Sequence, residues 1–397
     1  MVQFRTRDSA LTAGVRGWVG AMIASAMGVV LSSLVAVGLL LLAPEPPGFD
    51  GDSCARLQNK LDKEVFGQQA AALQFSSAVC DHLWDQEPLK PLVLSIHGPP
   101  GVGKSYSHFV AARALYNATS KAESNLLFDK NKNKNKVKPP ECPGLNCPGY
   151  KVVYGLDYTI AEGEAQSQAL INRLMEHLTR YKESVVVIEE YDKLDCRSRG
   201  VLKQIFDKGQ AANATESLKR SVFLLESNAG YGKIAEALVE AGGRQDLVDL
   251  EALQYTLKNM MFALWQRDGC EDRVDTVKAL SLIDMFVPYF PLSRESVSRI
   301  MSSAIERRVA ALNAERVDRG FEGRVGVRVE QRALEFLNDR IEWDGSYAVE
   351  GAKEVSTVIR RHVFGLLYGL AGEEEKEGEY ELDLDEGSGK VVLRKKG

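Results

Sequence analysis

Gly98-Pro99-Pro100-Gly101-Val102-Gly103-Lys104-Ser105 satisfies G-x-x-x-x-G-K-[ST] at every fixed position. Residues of these types at this spacing can hold a triphosphate. Glycines let backbone N–H groups turn inward around phosphate oxygens, and a helix starting at the lysine adds the positive end of its dipole. Lys104 would reach the β- and γ-phosphates, and the Ser105 hydroxyl would ligate Mg2+. Gly98 through Ser105, with Tyr106 next in the first turn, is therefore the expected cradle for ATP.

Hydrolysis needs more than a cradle. "VVVIEEYDK" ends an apolar run in two acids. The first, Glu189, would help to hold Mg2+, and the second, Glu190, would accept the proton of an attacking water. Aspartate is usual at the first position, so a glutamate there alters the reach of the carboxylate. Asn228, in "FLLESNAG", ends the next apolar run and could orient the water.

These residues must be placed by alternating elements. "PLVLSIHG", "KVVYGLDY", "SVVVIEEYD" and "SVFLLESNAG" read as strands, separated by segments of helical spacing, which implies an α/β fold with a parallel sheet between helices. From about Asp246 the strands largely stop, and "SLIDMFVPYFPL" reads as an apolar linker into a smaller helical domain whose first helix Ser293 would cap. The expected organisation is an N-terminus 1–16, a transmembrane signal anchor 17–43, a linker 44–53, a nucleotide-binding domain 54–285 with a lysine/asparagine-rich insertion at 118–150, a helical lid 286–371 and a charged tail 372–397.

The anchor is read from Gly17–Ala43, which carries no charge and exceeds the roughly 20 residues that a spanning helix needs. Arg5, Arg7 and Arg16 precede it, which predicts a cytosolic N-terminus and a globular part across the membrane. Asn117-Ala118-Thr119 and Asn213-Ala214-Thr215 are sequons usable in a secretory compartment. A cleaved leader and a mitochondrial presequence are the alternatives. Cys142 and Cys147 could pair in an oxidising lumen, and no Cys/His spacing predicts zinc. A net charge of −5 without a basic stripe argues against nucleic-acid binding.

Taken together, "LDKEVFGQQAAAL", "KPLVLSIHGPPGVGKS", "IEEYDK", "LLESNAG" and "SLIDMFVPYFPL" resemble the AAA+ ATPases of the Clp/heat-shock disaggregase type, and most closely the torsins of the endoplasmic reticulum lumen. The resemblance implies an AAA+ core with a C-terminal helical lid. Val65, Phe66 and Gly67 match the position beside the adenine, and "EGAKE" matches the lid motif that would bring Lys353 to the γ-phosphate. Three residues depart from the torsin pattern: Ala352 stands where torsins carry cysteine, Ser105 where animal torsins often have asparagine, and Glu189 where the family has aspartate. Leu282 occupies the place of the Clp arginine finger. The resemblance therefore implies a membrane-anchored lumenal activator that donates an arginine, with assembly into a homo-oligomer or filament and protein substrates. It places the chain in the endoplasmic reticulum membrane or nuclear envelope. A weakly hydrolysing nucleotide-dependent scaffold and a mitochondrial inner-membrane chaperone are the rival readings.

Overall fold

Continuous apolar runs rich in β-branched residues suit strands covered on both faces. In the computed structural model, which describes residues 48–116, 147–159, 164–208, 218–269, 272–371 and 376–396, five strands form one sheet. They are β1 (Leu92–His97), β2 (Tyr150–Tyr154), β3 (Val185–Glu189), β4 (Val222–Ser227) and β5 (Met285–Pro288). All pair in parallel, in the order β2-β3-β4-β1-β5.

Side-chain alternation divides the core between the two faces. Leu92, Leu94, Ile96, Val185, Val187, Val222 and Leu224 pack with α1 (Ser53–Glu64), α2 (Gln69–Trp84) and α3 (Lys104–Leu115). Val93, Val186, Ile188, Phe223 and Leu225 face the other way. They meet α4 (Glu164–Arg180), α5 (Cys196–Lys208), α6 (Tyr231–Glu240), α7 (Leu250–Asp268) and α8 (Arg273–Ser281).

The expected linker "SLIDMFVPYFPL" contains β5, so a core–lid boundary at 285/286 cuts through a strand. Pro288 is tolerated there because β5 is an edge. Beyond it, α9 (Arg294–Asp318) begins at Ser293, whose hydroxyl accepts the Ser296 N–H at 3.3 Å. α9 packs with β6 (Val325–Val329), α10 (Gln331–Asn338), the hairpin β7 (Trp343–Asp344) and β8 (Tyr347–Ala348), α11 (Lys353–His362) and α12 (Phe364–Tyr368).

The C-terminal region is neither wholly helical nor followed by a free tail. β9 (Gly378–Asp385) pairs in parallel with β6 and antiparallel with β10 (Lys390–Lys395). The charge run concealed a two-residue period: Tyr380 and Leu382 are buried between acidic neighbours. The acids meet bases, with Arg332 2.6 Å from Asp383 and Lys396 3.2 Å from Glu381.

Among the described residues no helix is long and apolar enough to cross a membrane. The expected anchor, both sequons and the lysine/asparagine run lie outside the described residues. Cys54 of α1 and Cys80 of α2 form a disulfide with Cα atoms 5.4 Å apart, and Cys147 and Cys196 are disulfide-bonded as well. Cys142, the expected partner of Cys147, is outside the described residues.

One polar chain runs through the sheet beneath the glycine loop. His97 Nδ1 lies 3.0 Å from the Ala229 carbonyl, which can only accept, so the ring donates there. Its Nε2 then accepts from Ser95 Oγ at 2.6 Å, and Tyr191 donates to Ser95 at 2.7 Å. Burial depresses the imidazole pKa to about 4, more than the Ala229 bond and Asp192 restore.

Two predictions follow from this architecture. A Cys54→Ser/Cys80→Ser chain should be less stable by about 2–4 kcal/mol, because its unfolded state regains the freedom of an open loop; thermal unfolding of both forms measures it. His97 is neutral in the fold, so its contribution is whole above the free imidazole pKa near 6.5 and is lost as pH falls towards about 4. Denaturant unfolding should show roughly 3 kcal/mol of this loss between neutral and that acidic pH, and His97→Asn should flatten the slope. Equal slopes would remove His97 from the account.

Candidate functional site

β1 delivers the chain into the cradle, and α3 receives it. Gly101 adopts φ 75°, and a Cβ there would lie 2.0 Å from the Glu350 carbonyl oxygen. Gly351 is the reciprocal case: at φ 57°, its Cβ would meet the Gly101 carbonyl at 2.5 Å. The Ala352 N–H donates to that carbonyl at 2.8 Å. Two backbones thus touch without side chains, and the lid motif rests directly on the phosphate loop.

Lys104 is 4% exposed. Its ammonium donates to the carbonyls of Gly98 and Pro99 at 2.9 Å each and to Asn228 Oδ1 at 2.8 Å. Burial lowers its pKa, the nearby Lys353 charge works in the same direction, and Glu226 opposes both. Asn228 is therefore beside the cradle lysine, at the end of β4.

The parallel register of β3 and β4 places Glu189 directly opposite Glu226. Both "VVVIE" and "VFLLE" carry an acid after four apolar residues, so the sheet presents two carboxylates at its C-terminal edge. Ser105 Oγ donates to the Glu226 oxygens, at 2.9 and 3.0 Å. His108, one turn along α3, places Nε2 3.3 Å from Glu226 and 3.5 Å from Glu189, with Nδ1 2.7 Å from the Tyr150 hydroxyl. Burial would lower the His108 pKa, but the two carboxylates outweigh it and the pKa is raised. Burial would raise that of Glu226, yet His108, Lys104 and Ser105 bring it below the usual range.

The hydroxyl of Ser105 and the carboxylates of Glu189 and Glu226 are hard oxygen donors of the kind Mg2+ takes. Glu190 follows in a left-handed conformation, φ 52°, the one such non-glycine among the described residues. Gly155 makes room for it, since a Cβ at 155 would lie 2.3 Å from the Glu190 carbonyl. A glutamate held there carries backbone strain of about 1–3 kcal/mol.

A cavity of about 430 Å3 opens beside the loop, within the range of small-molecule sites. It is lined by Gly101 to Tyr106, by Val65 and Phe66, by Glu226, and by Arg307, Ala352 and Lys353 of the lid region. Phe66 stacks under the Arg299 guanidinium at 4.9 Å, and Tyr106 donates to Glu64 at 3.2 Å. Gly67 is not a lining residue; at φ 72°, a Cβ there would lie 2.5 Å from Ser296 Oγ and 3.0 Å from the Leu292 side chain. Buried Gln68 bonds the Val102 carbonyl at 3.1 Å and both the carbonyl and N–H of Phe290 at 2.7 and 2.8 Å. Leu282 packs into its own subunit's core at the end of α8.

Sequence reasoning missed Glu226, His108 and Gln68. Glu226 was legible as an acid closing a buried strand, parallel to the one that ends in Glu189. His108 and Gln68 gave no local signal, because their partners are 81 and 222 positions away.

The sequence profile of the torsin family matches residues 51–134. A torsin-like protein of Caenorhabditis elegans is 27% identical over 247 residues, 62% of this chain and 62% of the relative. The ClpB chaperone of Chlamydia muridarum is 26% identical over 320 residues, 78% of this chain and 31% of that protein. The ClpB of Chlamydia caviae is 27% identical over 349 residues, 86% and 35% respectively. The chain thus spans less than two thirds of the length of each of these relatives. Over these spans the chain is similar to torsins and to the ClpB chaperones.

Proposed function

We propose that the chain binds ATP with Mg2+ at the cradle and hydrolyses it to remodel proteins or membranes, with a low rate when alone. One observation carries this reading: the glycine loop, Glu226, the Val65–Phe66 segment and the lid lysine Lys353 line a single cavity. In it, Lys104 would exchange its loop carbonyls for β- and γ-phosphate oxygens, while Asn228, already bonded to Lys104, orients the attacking water. Glu190 would take the proton from that water. Ser105 and Glu189 would hold the Mg2+, whose charge offsets that of the phosphates. Lys353 would reach the γ-phosphate from the lid.

No guanidinium is offered at Leu282, which is occupied in core packing. An arginine supplied in trans accelerates phosphoryl transfer by about 10³–10⁵, so the proposal includes a membrane-anchored lumenal activator and assembly of copies into a ring or filament. The disulfide-bonded Cys54, Cys80, Cys147 and Cys196 favour an oxidising compartment. The proposal accordingly takes the protein to be glycosylated and lumenal, held at the endoplasmic reticulum membrane or nuclear envelope by residues 17–43. The scaffold reading draws on Glu189 in place of aspartate and on Leu282.

Lys104→Ala should weaken ATP binding at least a hundredfold in a fluorescence titration; wild-type affinity would mean the cradle holds no triphosphate. Glu190→Gln should bind ATP normally and hydrolyse it about 10²–10⁴ times more slowly in single turnover. Unchanged turnover would take the base assignment from Glu190. A wild-type chain inert even with lumenal membrane extract would favour the scaffold.

A further inference from the structure

The cluster beside the cradle contains a donor that nucleotide chemistry does not use. His108 is 3% exposed, and its Nε2 makes no hydrogen bond although it is buried and aimed at two carboxylates. Nδ1 lies 2.7 Å from the Tyr150 hydroxyl, and Nε2 faces the carboxylates of Glu226 and Glu189 at 3.3 and 3.5 Å. Three ligand atoms that face one another in a site shielded from water can share a cation. Those values match the edge of a tetrahedron whose corners lie about 2.1 Å from its centre, roughly 3.4 Å, as for zinc bound by imidazole and carboxylate. One ligand atom from each of the three residues lies within 4.8 Å of the others.

We propose that His108, Glu189 and Glu226 form a binding site for a first-row transition dication of the Zn2+ class, and that it fills without nucleotide. Three protein ligands leave a fourth position open. The donor set is what separates this ion from the Mg2+ expected with ATP. Imidazole suits zinc, iron, nickel and copper, whereas magnesium takes oxygen. The Tyr150 hydroxyl supplies the outer hydrogen bond that orients a metal-ligating imidazole. Occupancy would tie α3, the helix that begins in the cradle, to the ends of β3 and β4. The absence of zinc-like Cys/His spacing in the sequence is no obstacle, because the three ligands come from separate elements joined only by the fold. This inference does not depend on hydrolysis.

The test is calorimetric titration of the purified full chain, stripped of metal and nucleotide, with ZnCl2, and a parallel titration with CoCl2 followed by visible absorption. One equivalent of Zn2+ should bind at the site, and Co2+ should give the intense bands of a four-coordinate ion. His108→Gln and Glu226→Gln should each lower Zn2+ affinity at least tenfold and abolish the cobalt bands. Far-ultraviolet circular dichroism and Mg2+-dependent binding of a fluorescent ATP analogue, measured on His108→Gln, show that the variant is folded. No stoichiometric binding, or equal binding by the wild type and a folded His108→Gln chain, would overturn the inference. In the first case, retained binding of the ATP analogue by the wild type would leave the proposed function standing.

Discussion

The constraint on which the site rests is the pairing of two carboxylates at one sheet edge. Register alone sets Glu189 opposite Glu226, and burial makes the Glu226 charge costly. The remedy comes from one helix and its preceding turn. Lys104, Ser105 and His108 all project from the start of α3 towards those acids. The glycine loop is therefore placed by attraction as well as by chain geometry: the residues that would bind phosphate and metal also neutralise the strand ends. Removing either carboxylate would unbalance the helix start, and removing the lysine or the histidine would leave a buried anion poorly paired.

The second organising contact is between backbones. Gly101 and Gly351 approach so closely that a Cβ on either would strike the carbonyl region of the other loop. A carbonyl–amide bond from Gly101 to Ala352 fixes their relative height. Gln68 adds a second tie, bonding both the phosphate loop at Val102 and the segment after β5 at Phe290. The glycine loop and the segment before Lys353 are thus coupled through main-chain atoms, where sequence can change little without moving both.

Much of this was readable from the chain. Strands flagged by β-branched runs, the glycine loop and the paired acids after "VVVI" are local signals, and local signals survive folding when both faces of a sheet are covered. What escaped the sequence was of three kinds. β6, β9 and β10 were lost because charge density masks alternation when the acids of one strand answer the bases of the next. β5 was taken for a linker because two prolines suggest a break, although an edge strand can carry one at its end. His108, Glu226 and Gln68 were lost because their roles exist only in three dimensions. The anchor and sequons, by contrast, are sequence properties of residues outside those described.

Lys353 adds a second positive charge to the cavity that Lys104 lines. Lys353 acts on Lys104 across the cradle, and the repulsion adds to burial in lowering the Lys104 pKa. Lys104 lies 4.0 Å from Glu226, which offsets part of that repulsion. The bare loop therefore holds two like charges near each other. A polyanion inserted between the lysines would convert that repulsion into two attractions, stabilising closure in proportion to the negative charge that it carries. Loss of the terminal phosphate would reverse part of this gain. Under the proposed function, the lid's affinity for the core would thus depend on the number of phosphates bound, through the ligand's charge alone.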